Sequence, residues 1–414
     1  MPVSVAAPNA TLPADPAAGV GLYVHWPYCD RICPYCDFNV YRTQPVDAAI
    51  WRAAFRAEMM HARTVQGATG PSLTSIYFGG GTPSLMPPGL VAGVIADAAD
   101  VLGLTDDAEI TLEANPTSSE ITAFASYAAA GVNRLSLGIQ ALDDNALNFL
   151  GRDHSAVDAV RGLASAGKMF ARTTFDLIYG RPGQTVAAWE RELGAALAHA
   201  TGHVSAYQLT VEAGTAFDAA RRRGALVMPD DDRLAEFYDV TQSVMEAAGL
   251  PAYEVSNHAG AGEQGRHNLT YWRYGAYIGI GPGAHGRLVV DNRRVATETI
   301  HDPAVWHAAV AAHGHGTMES TMLDPSACID ELLVTGLRLV EGIPAERFEA
   351  VTGHTLSDLR TAPRITPMVE EDLLVVADTG MAATAAGRRV LNAVVAEVSE
   401  ALSSLPDRTS PGPD

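Results

Sequence analysis

Short apolar runs alternate with amphipathic stretches between residues 20 and 210, and this alternation constrains the possible fold more than any other feature. The runs that have strand character cover 22–25, 75–78, 109–113, 134–140, 173–178 and 204–209. Apolar residues recur at helical spacing over 47–65, 88–102, 119–130, 155–166 and 186–199. Strands that alternate with helices form parallel βαβ units. The sequence therefore predicts an α/β fold built on a parallel sheet.

The number of strand–helix units limits the kind of parallel sheet. A complete (β/α)8 barrel needs about 250 residues, whereas six units are found between residues 20 and 210. This favours a partial, open TIM-like (β/α)6 barrel, and a doubly wound sheet is the alternative. In both folds the chemistry gathers at the carboxyl ends of the strands.

The rest of the chain divides by composition. Residues 1–18 and 404–414 are rich in Ala, Pro, Ser and Gly and are predicted to be disordered tails. The barrel is expected over 19–257, with a last helix at 230–248 and a strand at 252–256. The segment 258–299, rich in Gly, His and aromatic residues, is expected to connect the barrel to a small, mainly helical domain. That domain covers 300–403, with a short strand near 373–377 and a possible winged-helix arrangement.

The charge balance limits the classes of molecule that are expected to bind this protein. Lys and Arg number 28 and Asp and Glu number 48, which gives a formal charge of −20. An acidic surface repels phosphate backbones, so we expect no nucleic-acid partner. No apolar run reaches the length of about 20 residues that a membrane span needs. The start of the chain lacks the basic and apolar regions of a secretory signal, and we therefore expect a cytoplasmic protein.

Three of the four cysteines lie within eight residues, at Cys29, Cys33 and Cys36, directly after the first predicted strand. Such a tight group in a reducing compartment indicates metal ligation rather than disulfides. Three thiolates can hold three corners of a 4Fe-4S cluster and leave the fourth iron open. Structural zinc, with His25 as a fourth ligand, is the alternative. Cys328 stands alone in an apolar helical context and is expected to be a buried structural thiol.

Each predicted strand delivers polar or flexible residues at its carboxyl end. The second strand is followed by three glycines and Thr82, whose backbone can approach a ligand closely. The third, fourth and fifth strands supply Glu113, Gln140 and Asp176, which can accept hydrogen bonds from amino groups or ribose hydroxyls. Together with the cysteine loop, these residues predict one site at the carboxyl edge of the sheet.

The motifs on these strands resemble a known family. Cys-x3-Cys-x2-Cys after a first strand, followed by Gly-Gly-Gly-Thr-Pro after a second, is similar to the radical S-adenosylmethionine superfamily. The motifs Tyr-Val-His-Trp-Pro-Tyr-Cys, Leu-Glu-Ala-Asn-Pro, Arg-Leu-Ser-Leu-Gly-Ile-Gln, Gly-Arg-Asp-His and Asp-Leu-Ile-Tyr-Gly resemble the oxygen-independent coproporphyrinogen III oxidase-like proteins. The resemblance extends from about residue 20 to residue 375.

The resemblance implies cofactors and roles. Cys29, Cys33 and Cys36 would ligate a 4Fe-4S cluster, and S-adenosylmethionine would chelate its open iron. The residues that would surround S-adenosylmethionine are Tyr23, Tyr35, Gly80, Gly81, Thr82, Glu113, Gln140, Arg152 and Asp176. The first five would line its methionine end, and the last four would hold its amino, carboxylate and ribose groups.

Two functional branches of this family are distinguished by the residue two positions after the third cysteine. Oxidases, which decarboxylate coproporphyrinogen III, carry a fourth cysteine there, whereas this chain has Phe38. Cys-Asp-Phe is typical of the branch regarded as heme chaperones. The resemblance therefore favours a protein that binds heme as cargo and passes it to an acceptor protein, and the oxidase activity is the alternative.

The chaperone branch also carries a His-Asn-x-x-Tyr-Trp motif, which begins here at His267. Imidazole is a common axial ligand of heme iron, and Tyr271 and Trp272 could pack on a porphyrin face. The resemblance therefore implies a heme site at these three residues. Weaker candidates for contacts with heme are His25, Tyr274 and His285.

Overall fold

The computed structural model describes residues 19–67 and 70–406, so the predicted tail at 1–18 and most of the tail at 404–414 lie outside the described residues. The strands are β1 (Val20–Trp26), β2 (Tyr28–Cys29), β3 (Tyr41–Arg42), β4 (Leu73–Gly80), β5 (Leu104–Ala114), β6 (Arg134–Gln140), β7 (Arg172–Tyr179), β8 (His203–Gln208), β9 (Asn257–Ala259), β10 (Ala276–Ile280), β11 (His285–Val290), β12 (Arg293–Thr299), β13 (Thr317–Met322), β14 (Ile343–Pro344), β15 (Leu374–Ala377) and β16 (Gly380–Ala383).

The α-helices fill the connections between these strands. They are α1 (Ala48–Gln66), α2 (Pro88–Leu102), α3 (Ser118–Ala129), α4 (Asp144–Phe149), α5 (Ala156–Met169), α6 (Val186–Leu197), α7 (Ala216–Arg222), α8 (Asp231–Ala247), α9 (Arg266–Trp272), α10 (Pro303–His313), α11 (Pro325–Gly336), α12 (Ala345–Thr352), α13 (Leu356–Arg360), α14 (Ile365–Glu370), α15 (Ala385–Arg389) and α16 (Leu391–Ser403). Polar N-cap side chains define where several of these helices begin. Ser155 and Asp158, for example, form a reciprocal capping box at the start of α5.

The large sheet is open and mostly parallel. Among the described residues it has 11 strands in the order β13-β12-β11-β10-β1-β4-β5-β6-β7-β8-β9. The six predicted strands β1 and β4 to β8 are neighbours in chain order and pair in parallel. A doubly wound sheet would reverse its strand order in the middle. The predicted partial (β/α)6 barrel is confirmed.

Alternation along the strands separates an apolar outer face from a polar interior. On β1, Leu22, Val24 and Trp26 are almost fully buried in the main hydrophobic core under the helices. The intervening residues point into the barrel: Tyr23 stacks on Tyr77 of β4, with ring centroids 6.4 Å apart. The interior is therefore available for polar chemistry, while the outer face supplies the packing that holds the sheet.

The segment 258–299 does more than connect two domains. Its strand β10 pairs in parallel with β1 on the edge opposite β4, and β11 to β13 continue the sheet as antiparallel strands. The barrel thus gains a seventh parallel strand that the sequence pattern did not predict. Its tyrosine and glycine residues gave no strand periodicity, because β10 is only five residues long.

Helix α9 closes the amino-terminal end of the barrel. Glu109 of β5 accepts hydrogen bonds from Arg134 (3.0 Å), from Arg172 (2.7 Å) and from the backbone N–H of Arg266 at the start of α9 (2.8 Å). Arg172 also pairs with Glu263 in the preceding loop. The buried carboxylate of Glu109 and the partly exposed Arg172–Glu263 pair thus join α9 and the loop before it to the amino-terminal ends of the strands.

The second hydrophobic core begins later than the predicted boundary at residue 300. It is formed by α11 to α16 and the small sheet β14-β16-β15. In contrast, α10 belongs to the first core, because Trp306 stacks on Trp51 and donates a hydrogen bond of 2.9 Å to buried Glu58. Cys328 is buried in the second core, as expected.

The strand predicted at 252–256 lies slightly later in the chain. Residues 257–259 form β9, and only Ala252 makes an isolated bridge before it. The carboxylate of buried Glu254 accepts hydrogen bonds from the backbone of Ser256 and the side chain of Asn257. This local turn interrupts an extended chain that the apolar pattern alone would favour.

Candidate functional site

The three cysteines lie on the loop that leaves β1, and neighbouring elements fix that loop. Cys29 ends β2, and the backbone N–H of Cys36 donates to Cys33 O at 3.2 Å. Thr82 donates to Cys29 Sγ at 3.4 Å, and Arg152 Nη1 donates to Cys33 Sγ at 3.3 Å. Two of the three sulphur atoms therefore already accept hydrogen bonds from residues predicted to belong to the site.

Burial favours the protonated thiols of Cys29 and Cys36. It raises the pKa of the Cys29 thiol to about 11, and the adjacent thiols raise it further while Thr82 opposes the rise. Burial also raises the pKa of the Cys36 thiol. Three neighbouring thiolates thus need a compensating cation, which iron would supply.

A cavity of about 400 Å³ opens next to the cysteines, at the carboxyl ends of β4 to β8. Its wall contains every residue predicted for the cluster and S-adenosylmethionine except Tyr23: Cys29, Cys33, Tyr35, Cys36, Gly80, Gly81, Thr82, Glu113, Gln140, Arg152 and Asp176. The strand register brings these residues together from distant parts of the sequence. The volume lies within the range of about 300–1,000 Å³ that is typical of ligand sites.

The glycine turn after β4 mainly packs against the cysteine loop. The N–H groups of Gly81 and Thr82 donate to the carbonyls of Trp26 and Tyr28, at 2.7 and 2.9 Å. A Cβ on Gly81 would lie 2.7 Å from Tyr28 O, and Gly80 has φ +104°. These positions therefore require glycine, and the turn ties β4 to the loop that carries the thiols.

Two buried carboxyl groups lie deeper in the cavity. Glu113 accepts a hydrogen bond of 2.7 Å from Tyr77. Burial, with a smaller contribution from Asp176, raises the pKa of Glu113 to about 8. Burial likewise raises the pKa of Asp176 to about 6. A cationic ligand in the cavity would favour the ionised forms of both groups.

Arg152 and Gln140 complete the wall. Arg152 donates to Gly138 O at 2.9 Å and to Asn115, and its buried Nε has no hydrogen-bond partner among the described residues. Gln140 adopts φ +63°, an uncommon conformation for a residue with a side chain. Such strain is concentrated at functional sites. The unpaired Nε offers a donor for an anionic ligand group.

A second cavity, of about 880 Å³, lies on the other side of the cysteine loop, between the barrel and α11. Tyr23 lines this cavity rather than the first one. Asp37 and Phe38, which follow the third cysteine, line both cavities, and Phe38 is 64% exposed. Phe38 therefore stands between the two cavities.

The structure separates the residues of the predicted heme motif. Tyr271 and Trp272 line the second cavity. His267 is 2% exposed and is not part of the cavity wall. Its Nδ1 lies 2.8 Å from Ser75 Oγ and its Nε2 lies 2.6 Å from Tyr271 Oη, so both ring nitrogens are engaged. Burial lowers the pKa of His267 to about 3.

His25 is also engaged through both ring nitrogens. Its Nε2 lies 2.9 Å from Asn39 O, and its Nδ1 lies 3.2 Å from Tyr23 Oη. The cavity wall includes polar residues that the sequence did not single out, such as Arg287 and His301. They come from the strands beyond β10 and from the turn that follows β12, which the sequence pattern did not place in the sheet.

Within residues 19–67 and 70–406, no group of three or more His, Cys, Asp or Glu side chains is arranged as the ligands of one metal ion.

Family models match two parts of the chain. Residues 23–194 match the Radical SAM superfamily, and residues 323–390 match the HemN C-terminal domain. The first match covers the cysteine loop and the strands that carry the predicted S-adenosylmethionine site. The second match covers the region of the second hydrophobic core.

Full-length relatives match nearly the whole chain. The mitochondrial radical S-adenosyl methionine domain-containing protein 1 of Bos taurus is 40% identical over 92% of this chain and 88% of its own length. The heme chaperone HemW of Bacillus subtilis is 35% identical over 81% and 88%, and that of Escherichia coli is 34% identical over 81% and 86%.

A solved structure shares the fold. Coproporphyrinogen III oxidase (HemN) from Escherichia coli superposes with a TM-score of 0.76 over 93% of this chain and 90% of its own, at 18% sequence identity. This likeness extends over both domains. The chain belongs to the radical S-adenosylmethionine superfamily, in the family that contains the HemW proteins and radical S-adenosyl methionine domain-containing protein 1.

Proposed function

We propose that this protein is a heme chaperone that carries a 4Fe-4S cluster and S-adenosylmethionine in the first cavity and heme in the second. The observation that carries this proposal is the pair of cavities on either side of Phe38, one with three thiols and one with aromatic walls. Relatives named heme chaperone match four-fifths of the chain, which supports the same function.

The first cavity fits the cluster and S-adenosylmethionine. Cys29, Cys33 and Cys36 would hold three irons and leave one for the methionyl amine and carboxylate. The free Arg152 Nε would favour the carboxylate, and Glu113 and Asp176 would accept from the amino or ribose groups. When bound, the cluster supplies one electron at a time to its ligand.

The second cavity suits a flat, largely apolar ligand with anionic groups. Tyr271 and Tyr277 meet edge to face with ring centroids 4.5 Å apart, and Phe38 adds an exposed ring at the mouth. Aromatic walls of this kind pack well on a porphyrin. His267 enters the proposal as a positioning residue, because it holds the Tyr271 hydroxyl from inside the barrel.

An anaerobic titration of the reconstituted protein with hemin tests the proposal. We expect saturation near one heme per chain, followed by the Soret absorbance, and no conversion of coproporphyrinogen III when reductant and S-adenosylmethionine are present. Weak binding that does not saturate, together with formation of the decarboxylated product, would refute the chaperone function and favour the oxidase.

Among the described helices, none is sufficiently long and apolar to cross a bilayer. We propose the cytoplasm as the location of this protein, and the named relatives include mitochondrial proteins. The acceptor would be a heme-binding protein that docks near the mouth of the second cavity, and we propose no nucleic-acid partner.

A further inference from the structure

Four imidazoles lie in or near the second cavity, and their hydrogen bonds differ. His25 and His267 each have both ring nitrogens engaged by the protein. His301 Nε2 lies 2.6 Å from Glu298 Oε1. The ring of His285 makes no hydrogen bond within the described ranges, and its Nε2 lies 3.9 Å from Glu298 Oε1. His285 is thus the imidazole among these four for which neither ring nitrogen has a hydrogen bond to the described residues.

The position of His285 exposes it to the cavity. It begins β11, directly after the turn that leaves β10, and its side chain is 57% exposed. The same turn contacts the cysteine loop, since Asn39 Nδ2 donates to Pro282 O at 3.0 Å. A ligand on His285 would therefore lie next to Phe38 and close to the first cavity.

Polar groups around His285 match the periphery of heme. Arg287, two residues later on the same face of β11, is a cation that could receive a propionate. It currently pairs with Glu331 of α11 at 2.8 Å. Trp272 lines the same wall, and its buried Nε1 has no hydrogen-bond partner among the described residues. A polar group of a ligand could pair with this donor.

We infer that His285 is the axial ligand of the heme iron in the second cavity, with Arg287 facing a propionate. The inference rests on the proposed function and replaces His267 as the ligand. Imidazole coordination needs a neutral nitrogen with a free lone pair. Glu298 Oε1 lies 3.9 Å from His285 Nε2 and would orient the ring, as carboxylates beside metal-binding histidines do.

The test compares histidine variants of the full-length, cluster-loaded protein in the hemin titration. His285→Ala should weaken hemin binding at least tenfold and change the Soret band. His285→Cys should retain binding but show the shifted spectrum of a thiolate-bound heme. His313→Ala, which removes an exposed imidazole on α10, is the matched control and should behave like the wild type. Circular dichroism and the cluster absorbance establish that each variant is folded.

The outcomes separate the inference from the proposed function. Loss of the imidazole spectrum in His267→Ala, with an unchanged His285→Ala, would overturn the inference and leave the chaperone function standing. An unchanged Soret band in His285→Cys would overturn it as well. Failure of the wild-type protein to bind hemin in a saturable manner would overturn the proposed function itself.

Discussion

Replacing Glu109 by Gln should destabilise the barrel far more than replacing a comparable exposed carboxylate. Glu109 is 3% exposed and accepts from two arginines and from the backbone of Arg266. Arg134, which is 2% exposed, would keep its charge without a full ionic partner. Removing one member of a buried ion pair typically costs about 3–5 kcal/mol. We expect a loss of this size in the free energy of unfolding.

The matched control is Asp107→Asn. Asp107 also pairs with an arginine, Arg266, at 2.9 Å, but both side chains are largely exposed. Exposed ion pairs contribute about 0–1 kcal/mol. Urea unfolding followed by circular dichroism measures the free energy of unfolding of both variants. Equal losses in the two variants would refute the reasoning that burial decides the cost.

Three further predictions concern the site and the core. The Glu113→Gln substitution should lower the affinity for S-adenosylmethionine. The ratio of wild-type to variant affinity should rise from pH 6 to pH 8, because the raised pKa of about 8 keeps the wild-type carboxyl protonated at low pH. A binding titration at each pH measures this ratio, and a constant ratio would contradict the prediction. Burial raises the pKa of Glu58 in the folded protein to about 7, so the contribution of this group to stability is complete below pH 4.5 and is lost as the pH rises through 7. Urea unfolding from pH 5 to pH 8 should show this decline in the wild-type protein but not in Glu58→Gln. Arg152→Met removes the hydrogen-bond donor to Cys33 and should reduce the iron content and the affinity for S-adenosylmethionine. The control Arg161→Met, which removes an exposed ion pair on α5, should change neither quantity. Iron analysis after reconstitution distinguishes the two variants.

The sequence predicted the barrel because its periodicity is strong. The range 134–140 coincides with β6, and the predicted helix 88–102 coincides with α2. The same pattern predicted a site at the position of the first cavity, because the carboxyl ends of parallel strands lie at one edge of the sheet. Glu113 and Gln140 lie at that edge because they are at, or next to, the last residues of β5 and β6, whereas Asp176 lies three residues before the end of β7 and still lines the cavity.

The second cavity could not be predicted in this way. It depends on β10 and β11, which are only five and six residues long. Gly279 and Gly286 interrupt the apolar pattern of these strands, because a side chain there would collide with His285 O and with Thr297, respectively. The sequence pattern also did not indicate that the Ala-rich helix α10 packs in the first hydrophobic core, where Trp306 is buried.

The placement of Tyr23 and His267 shows the limit of motif reasoning. Both residues belong to motifs that suggested ligand contacts, yet their rings stack on one another inside the barrel, with centroids 6.4 Å apart. A sequence motif indicates that a residue is characteristic of a family, but it does not indicate which surface of the fold that residue faces. Strand parity decides this, because Tyr23 follows Leu22 and must point into the polar interior.

The position of β1 in the middle of the sheet has a consequence for how the protein is made. One edge of β1 pairs with β4. The other edge pairs with β10, which is synthesised about 250 residues later in the chain. At a synthesis rate of about 5–20 residues per second, that edge stays unpaired on the ribosome for roughly 12–50 s. The cysteine loop leaves the same strand, so its thiols emerge long before the turn at Pro282 contacts Asn39. An open strand edge invites association with other nascent chains, and slower growth at low temperature together with ample iron and sulphide should favour recovery of the folded, cluster-bearing protein.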